Sequence, residues 1–323
     1  MKINTQWVGL GLASVLLLAA CTPEPAVEEG PPPDPVVVYA AYDDKTYLPT
    51  LFTEFTAETG QIVLVRNGKI PGIVDDVIGD RVSPPADILL TPSVHGVWRV
   101  AEEGELRPHY STVVDSNAPA WLRDPDNFWV ALSYRNAVVV YDTNQFAATD
   151  LSGYADLSAP EFRRKLCLST SSLTINRTVI AMLIRKLGAR ETELAVRGWV
   201  ANLAQPVFSS EENLMSALTG GDCAVGIVAS DAAVLDENSA LKIHLPAETY
   251  VDAEAVGITR HARNPGGAAV LIDWLLQDEI QKRHATHMSA LPVVKDAAGK
   301  DGVVHSAYLN EEATKLAERA RYR

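Results

Sequence analysis

The chain has 323 residues, 47% of them hydrophobic and 21% charged, with 41 acidic against 28 basic residues and a net charge of −13. So acidic a surface repels phosphate backbones and anionic headgroups, which argues against nucleic acid as a partner and against electrostatic adhesion to a membrane. The length accommodates two ordinary domains or one large one.

Met1-Lys2 opens with one positive charge, and Trp7 to Ala20 follows with none. That run is too short to span a bilayer permanently, and Leu18-Ala19-Ala20-Cys21 closes it with small residues before a cysteine, the pattern of a lipoprotein signal. Residues 1–20 are expected to be cleaved and Cys21 acylated. The chain would then sit in the bacterial cell envelope, lipid-anchored and facing the periplasm, on the inner or the outer membrane. Residues 21–35 are rich in Pro and Glu and read as a stiff tether. The mature part keeps Cys167 and Cys223, which in an oxidising compartment form one disulfide or stay as two buried thiols.

In chain order, Val36–Ala40 predicts a buried strand, and Tyr47–Thr59 a helix, because Leu48, Leu51, Phe52 and Phe55 recur at helical spacing. Gly60 stops that helix. Ile62–Val65 reads as a second strand, Ile70–Ile78 as a helix and Ala86–Leu90 as a third strand. This succession builds an open α/β sheet whose ligand lies beyond the carboxyl ends of the strands. Val130–Tyr141 is a long β-rich stretch, and Leu166–Leu168, Ala224–Val228 and Ala253–Thr259 are further strands. Helices are expected near Asn176–Leu187, Glu191–Leu203 and Glu211–Leu218. His284 and His287 lie three apart, but the adjacent Lys282 and Arg283 mark an exposed surface turn rather than a metal site. Trp98, Trp129 and Tyr47 read as core or hinge packing.

The sequence holds no GxGxxG, Walker loop, CxxC pair or GxSxG elbow, so nucleotide binding, zinc binding and ester hydrolysis have no motif behind them. It does hold an ordered series of strings. They are Val38–Tyr42, Ser83–Thr91, Leu122–Pro125, Trp129 through Tyr141, Gly153–Leu157, Gly221-Asp222-Cys223, Gly257–Asn264 and Leu291-Pro292-Val293. In order and spacing, over roughly residues 35 to 295, the chain resembles the ferric-iron-binding, type 2 periplasmic proteins of ABC importers. The resemblance implies an α/β, two-lobed type 2 periplasmic binding protein fold with crossing hinge strands. Lobe 1 would span 36–136, completed by about 256–295; lobe 2 would span 137–255, and 296–323 would form a C-terminal helical segment. It also implies a permease and an ATPase as partners, and a monomer that performs no catalysis.

At the family's iron ligands the chain departs. The His and Tyr expected after the first strand match Asp43 and Asp44, a helix-head tyrosine matches Ile175, and the Tyr-Tyr pair falls on Asp231-Ala232. Phenolates favour ferric iron over softer or divalent ions, and none of these positions keeps one. Asp43, Asp44 and Asp231 offer carboxylates instead, which suit a hard cation or an ammonium group; Asp43 and Asp231 are the candidate metal ligands. Asp44 reads equally as a turn residue and Asp231 as a helix cap. Ser133 and Arg135 match residues that face a bound anion, and Ser171 and Ser172 precede a helix whose amides suit one. Arg135 alternatively pairs with Asp43 or Asp231. Tyr42 is placed to stack on an organic solute. The expected cargo is iron or a divalent ion, with or without a synergistic anion, or else a small organic cation, zwitterion or polyol. A degenerate binding protein acting as an envelope interaction module is the reading from another class. No resident cofactor is expected.

Overall fold

A computed structural model describes residues 1–2, 34–42, 44–69, 72–295 and 303–323. The signal segment, Cys21, most of the tether and Asp43 lie outside the described residues. From Asp34 onward the chain forms one compact unit.

In chain order the elements are β1 (Val36–Ala40), α1 (Tyr47–Thr59), β2 (Val63–Asn67), α2 (Gly72–Ile78), β3 (Ile88–Thr91), α3 (Val94–Glu102), β4 (Leu106–Arg107), α4 (Thr112–Asn117) and β5 (Val130–Asp142). There follow β6 (Leu166–Leu168), α5 (Thr174–Leu187), α6 (Ala189–Asn202), α7 (Glu211–Thr219), β7 (Val225–Ala229), β8 (Leu241–His244) and β9 (Val251–Thr259). The chain ends with α8 (Pro265–Leu275), α9 (Asp278–His287), β10 (Leu291–Pro292), α10 (Val303–Tyr308) and α11 (Asn310–Arg319).

The local causes are those the sequence carries. Valines of β1 are buried on both faces, as a parallel strand covered by helices requires. Helix α1 buries Leu48, Leu51, Phe52 and Phe55, and Gly60 ends it at φ 72°, donating its N–H to the Thr56 carbonyl. Ser93 opens α3 by accepting the His95 N–H, and Ser210 opens α7 by accepting that of Asn213.

The sheet runs β2-β1-β3-β9-β5-β7-β6, with β4 on β9 and β8 and β10 on β5. Strand β5 is the crossing element. Its first half pairs with β9, from Val130 opposite Val256 to Asn136 opposite Val251, and its second half pairs with β7 and β8 from Ala137 onward. The cores change hands at the same place. Val130, Ala131, Leu132 and Tyr134 join a core with β1, β3, α1 and α8. Beyond that point the strand alternates, with Ala137, Val139 and Tyr141 entering one core and Val138 and Val140 another on the opposite face. The fold is therefore the expected two-lobed type 2 binding-protein architecture, with a hinge between Tyr134 and Ala137. Val251, Ala253 and Ala255 of β9 pack in the first core, where the sequence reading placed residues up to 255 in lobe 2.

The second lobe carries a Cys167–Cys223 disulfide, its Cα atoms 5.9 Å apart. Parallel pairing of β6 with β7 sets Cys167 opposite Gly226 and so brings the two cysteines together. Helix α10 rests on α3 of the first lobe and α5 of the second. Ala313, Leu316, Ala317 and Ala320 of and beyond α11, with Tyr322, then close the core of the second lobe. Among the described residues no helix is long and apolar enough to cross a membrane.

Candidate solute-binding site

Strand β9 is buried along its whole length, yet carries Asp252 and Glu254 two residues apart, hence on one face. The facing residues of β5 are Arg135 and Ser133, so the hinge ladder sets Arg135 opposite Asp252 and Ser133 opposite Glu254. A polar stripe thus runs along the crossing strands where the lobes meet.

Glu254, fully buried, is the centre of one half of that stripe. One carboxylate oxygen accepts the Tyr42 hydroxyl. The other accepts Ser133 Oγ at 2.6 Å and faces His284 Nε2 at 2.7 Å. His284 Nδ1 lies 3.0 Å from the Tyr47 hydroxyl. Burial opposes charge on both members of the Glu254–His284 pair, but each stabilises the other: Glu254 is held below the usual carboxylate range and His284 is raised above the usual imidazole range. Burial also pushes the Tyr42 hydroxyl well above its ordinary value, with Glu254 adding to the shift, so it stays a neutral donor. Tyr47, raised to about 12 mainly by burial, stacks on His287 with ring centroids 3.6 Å apart.

Arg135 forms the other half. Its Nη1 lies 3.4 Å from Asp231 Oδ2, well beyond the roughly 2.7–2.9 Å of a strong charge-assisted hydrogen bond. Arg135 Nε and Asp231 Oδ1 are both buried and have no hydrogen-bond partner among the described residues. Burial pulls the guanidinium pKa down, but Asp231, Asp252, Glu254 and Glu211 outweigh it and leave Arg135 raised. Asp252 accepts Ser93 Oγ at 3.0 Å, and burial lifts it to about 6 despite Arg135 and Arg177. Glu211 is likewise raised by burial, and its carboxylate accepts the Ala229 N–H at 2.5 Å.

The sequence-derived residues divide accordingly. Tyr42, Ser133, Arg135 and Asp231 come together at the hinge. Tyr42 and Ser133 direct their hydroxyls to Glu254, so neither stacks or hydrogen-bonds freely in the way the sequence predicts. Asp44 is exposed and shapes a turn, accepting the Thr46 N–H at 2.8 Å and the Tyr47 N–H at 3.2 Å. Ser171 Oγ donates to the Tyr322 carbonyl at 2.8 Å, and Ser172 is exposed. Both serines also give their carbonyls to Arg177. Among the described residues no group of three His, Cys, Asp or Glu is arranged to hold a metal; Asp43 falls outside them.

One expectation is corrected. His284 is 1% exposed rather than on a surface turn, because α9 turns Lys282 and Arg283 outward to Glu279 and Glu54 while the same turn presents His284 to β9. The sequence reading also missed Asp252, Glu254 and Glu211 as site residues. Asp252 and Glu254 were detectable as charges at alternate positions of an otherwise apolar strand.

Two lobes joined by crossing strands, with a charged stripe at their junction, define a solute-binding protein. The family described as bacterial extracellular solute-binding protein matches residues 83–310, and the chain belongs to it. Iron uptake protein A1 of Synechocystis is 25% identical over 280 residues, 82% of this chain and 78% of that protein. A putative 2-aminoethylphosphonate-binding periplasmic protein of Salmonella typhi is 24% identical over 268 residues, 80% of this chain and 77% of its own. The Trichodesmium protein IdiA, or FutA, solved in complex with iron and citrate, superposes with a TM-score of 0.79 at 25% identity, covering 90% of this chain and 100% of that one.

Proposed function

We propose that the protein is the lipid-anchored solute-binding component of an ABC importer, capturing a small solute between its lobes and presenting it to a permease and its ATPase without catalysing any change. Residues 36–136 with about 256–295 are assigned to one lobe and 137–255 to the other, apart from the β9 residues noted above. The observation that carries the reading is the Arg135–Asp231 pair. It lies at the junction of the lobes, and buried donor and acceptor atoms in it lack partners among the described residues, which is costly unless a ligand supplies them. The solute is held at Arg135 and Asp231, while Glu254, His284 and Ser133 fix the strands that position them.

The second reading, ferric iron held with an anion, is favoured by the iron-related names of relatives such as those of Synechocystis and Trichodesmium. It would have to proceed without phenolates at the matched positions. Native mass spectrometry of protein purified without refolding separates the readings: an organic mass supports the first and a bound iron the second. Protein that is empty, and that neither organic solutes nor ferric citrate stabilise against heat, would leave an interaction module instead. The anchor is tested separately. Cys21→Ser should abolish labelling by a fatty-acid probe, and unchanged labelling would remove the lipid.

A further inference from the structure

We infer that the cargo is a small zwitterion of net charge near zero, its anionic head on Arg135 and its ammonium on Asp231; this rests on the solute-binding reading above and narrows it. The first ground is the geometry of the pair. At 3.4 Å it is an electrostatic contact rather than a hydrogen bond, although a guanidinium and a carboxylate left to themselves form a close, parallel, two-bond contact. Something holds them apart. Arg135 grows from the hinge ladder opposite Asp252, and Asp231 from the turn after β7 in the second lobe, so their spacing is fixed by different elements. The result is an open dipole whose donor Arg135 Nε and acceptor Asp231 Oδ1 have no hydrogen-bond partner among the described residues. A molecule carrying the opposite dipole satisfies both atoms at once.

The second ground is the charge that surrounds the pair. Arg135 experiences four carboxylates, those of Asp231, Asp252, Glu254 and Glu211. Glu254 is already matched by His284, and Asp252 is influenced by Arg177 as well as Arg135. A bare cation entering here meets the guanidinium, and a di- or trianion meets the remaining carboxylates. In this partly buried place, with side chains 22% and 20% exposed, a like-charge encounter costs more than in water. A cargo whose own charges cancel avoids both penalties, and only a cargo with both signs uses both side chains.

The test uses the intact protein and isothermal titration with β-alanine and taurine, beside propionate, ethanesulfonate and ethylamine, each of which lacks one charge of the pair. At least one zwitterion should bind, and removing either of its charges should weaken it roughly ten- to a hundredfold, the range of a charge-assisted hydrogen bond. Asp231→Asn should erase the preference for the ammonium while keeping that for the acid head, and Arg135→Gln should do the reverse. Native mass spectrometry of the co-purified cargo is the second measurement, independent of whether those variants fold and of whether the panel contains the natural solute. A mass identified as an amino-acid-like or aminosulfonate-like zwitterion supports the inference. A bound iron, a polyol or a singly charged organic ion overturns the cargo class and leaves the protein a solute-binding component. Empty protein that binds neither the panel nor ferric citrate overturns both.

Discussion

Replacing His284 by Ala isolates the buried ion pair at the hinge. His284 and Glu254 have side chains 1% and 0% exposed and meet at 2.7 Å, so the variant leaves a buried carboxylate with, among the described residues, only the Ser133 and Tyr42 hydroxyls as partners. Removing one member of such a pair costs about 3–5 kcal/mol. For a chain of this length that lowers the thermal midpoint by about 6–10 °C, at roughly 2 °C per kcal/mol. Part of the loss is the cavity left by the imidazole, which does not depend on pH. The electrostatic part does. His284 is raised above its ordinary 6.5, so its contribution is present in full below that value and disappears as pH rises through the folded pKa. Glu254 is held below its ordinary 4.5, so its contribution is present above that value and disappears as pH falls through the folded pKa. The pair therefore stabilises most between about pH 4.5 and 6.5, and the deficit of the variant, followed by urea unfolding, should be larger at pH 5.5 than at pH 9.5. A deficit under about 1 kcal/mol, or one unchanged across that range, would refute a charged pair. Glu254→Gln, which keeps the shape and two hydrogen-bonding positions, should lose less than His284→Ala at pH 5.5.

Three further outcomes are expected. Asp252→Asn should stabilise the protein at pH 8, where burial makes the charged carboxylate unfavourable. Because the folded pKa of about 6 exceeds the ordinary 3.8, this advantage, on the order of 3 kcal/mol, should shrink below pH 6 and vanish near pH 4; an advantage independent of pH would contradict the shift. Thiol titration of the oxidised folded domain under denaturing, non-reducing conditions should find neither Cys167 nor Cys223 free. Replacing both by Ser should cost about 4 kcal/mol on a chain-entropy account for a separation of 56 residues, and two titratable thiols would disprove the bridge. Protein mixed with ferric citrate should lack an intense phenolate-to-iron absorption in the visible, since Tyr42 is engaged with Glu254 and the positions that the resemblance assigns to iron ligands hold Asp43, Asp44, Ile175, Asp231 and Ala232; a red complex would show that some tyrosine reaches the metal.

Much of the fold is legible in the sequence, because it rests on local periodicity that burial then reinforces. The α1 pattern of Leu48, Leu51, Phe52 and Phe55 gives the helix its observed ends, and Gly60 its stop. Strand edges drift by a residue or two, as with β3 beginning at Ile88 rather than Ala86, since pairing partners and not propensity decide where a ladder ends. Helix α3 went unread, because Val94, Val97 and Val100 share its inner face with glycine and polar residues between them and β-branched side chains signal strand as readily as helix. Residues 253–259 gave β9 its strand character but hid its first turn of function, which begins at Asp252.

The site is less legible for a physical reason that separates its two halves. Arg135 and Asp231 were singled out in the sequence only through the resemblance, by their place along the chain. Glu254 and His284 stand thirty residues apart in sequence, and neither has a motif; what makes them a pair is that α9 lies against the crossing strands and turns one face toward β9. A histidine flanked by Lys282 and Arg283 looks solvated when read along the chain, whereas helical geometry sends successive side chains in directions about 100° apart and so separates it from both. The carboxylate gave the stronger clue. An ionised residue inside a strand with no exposed position demands a partner of opposite charge or a set of hydrogen-bond donors, and in the first half of β5 only Ser133 and Arg135 face the same stripe as Asp252 and Glu254. Arg135 goes to Asp252 by register, which leaves Glu254 with Ser133 and in need of a positive group from elsewhere. The buried charge in β9 therefore calls for a cationic partner from outside β5, which His284 supplies from α9.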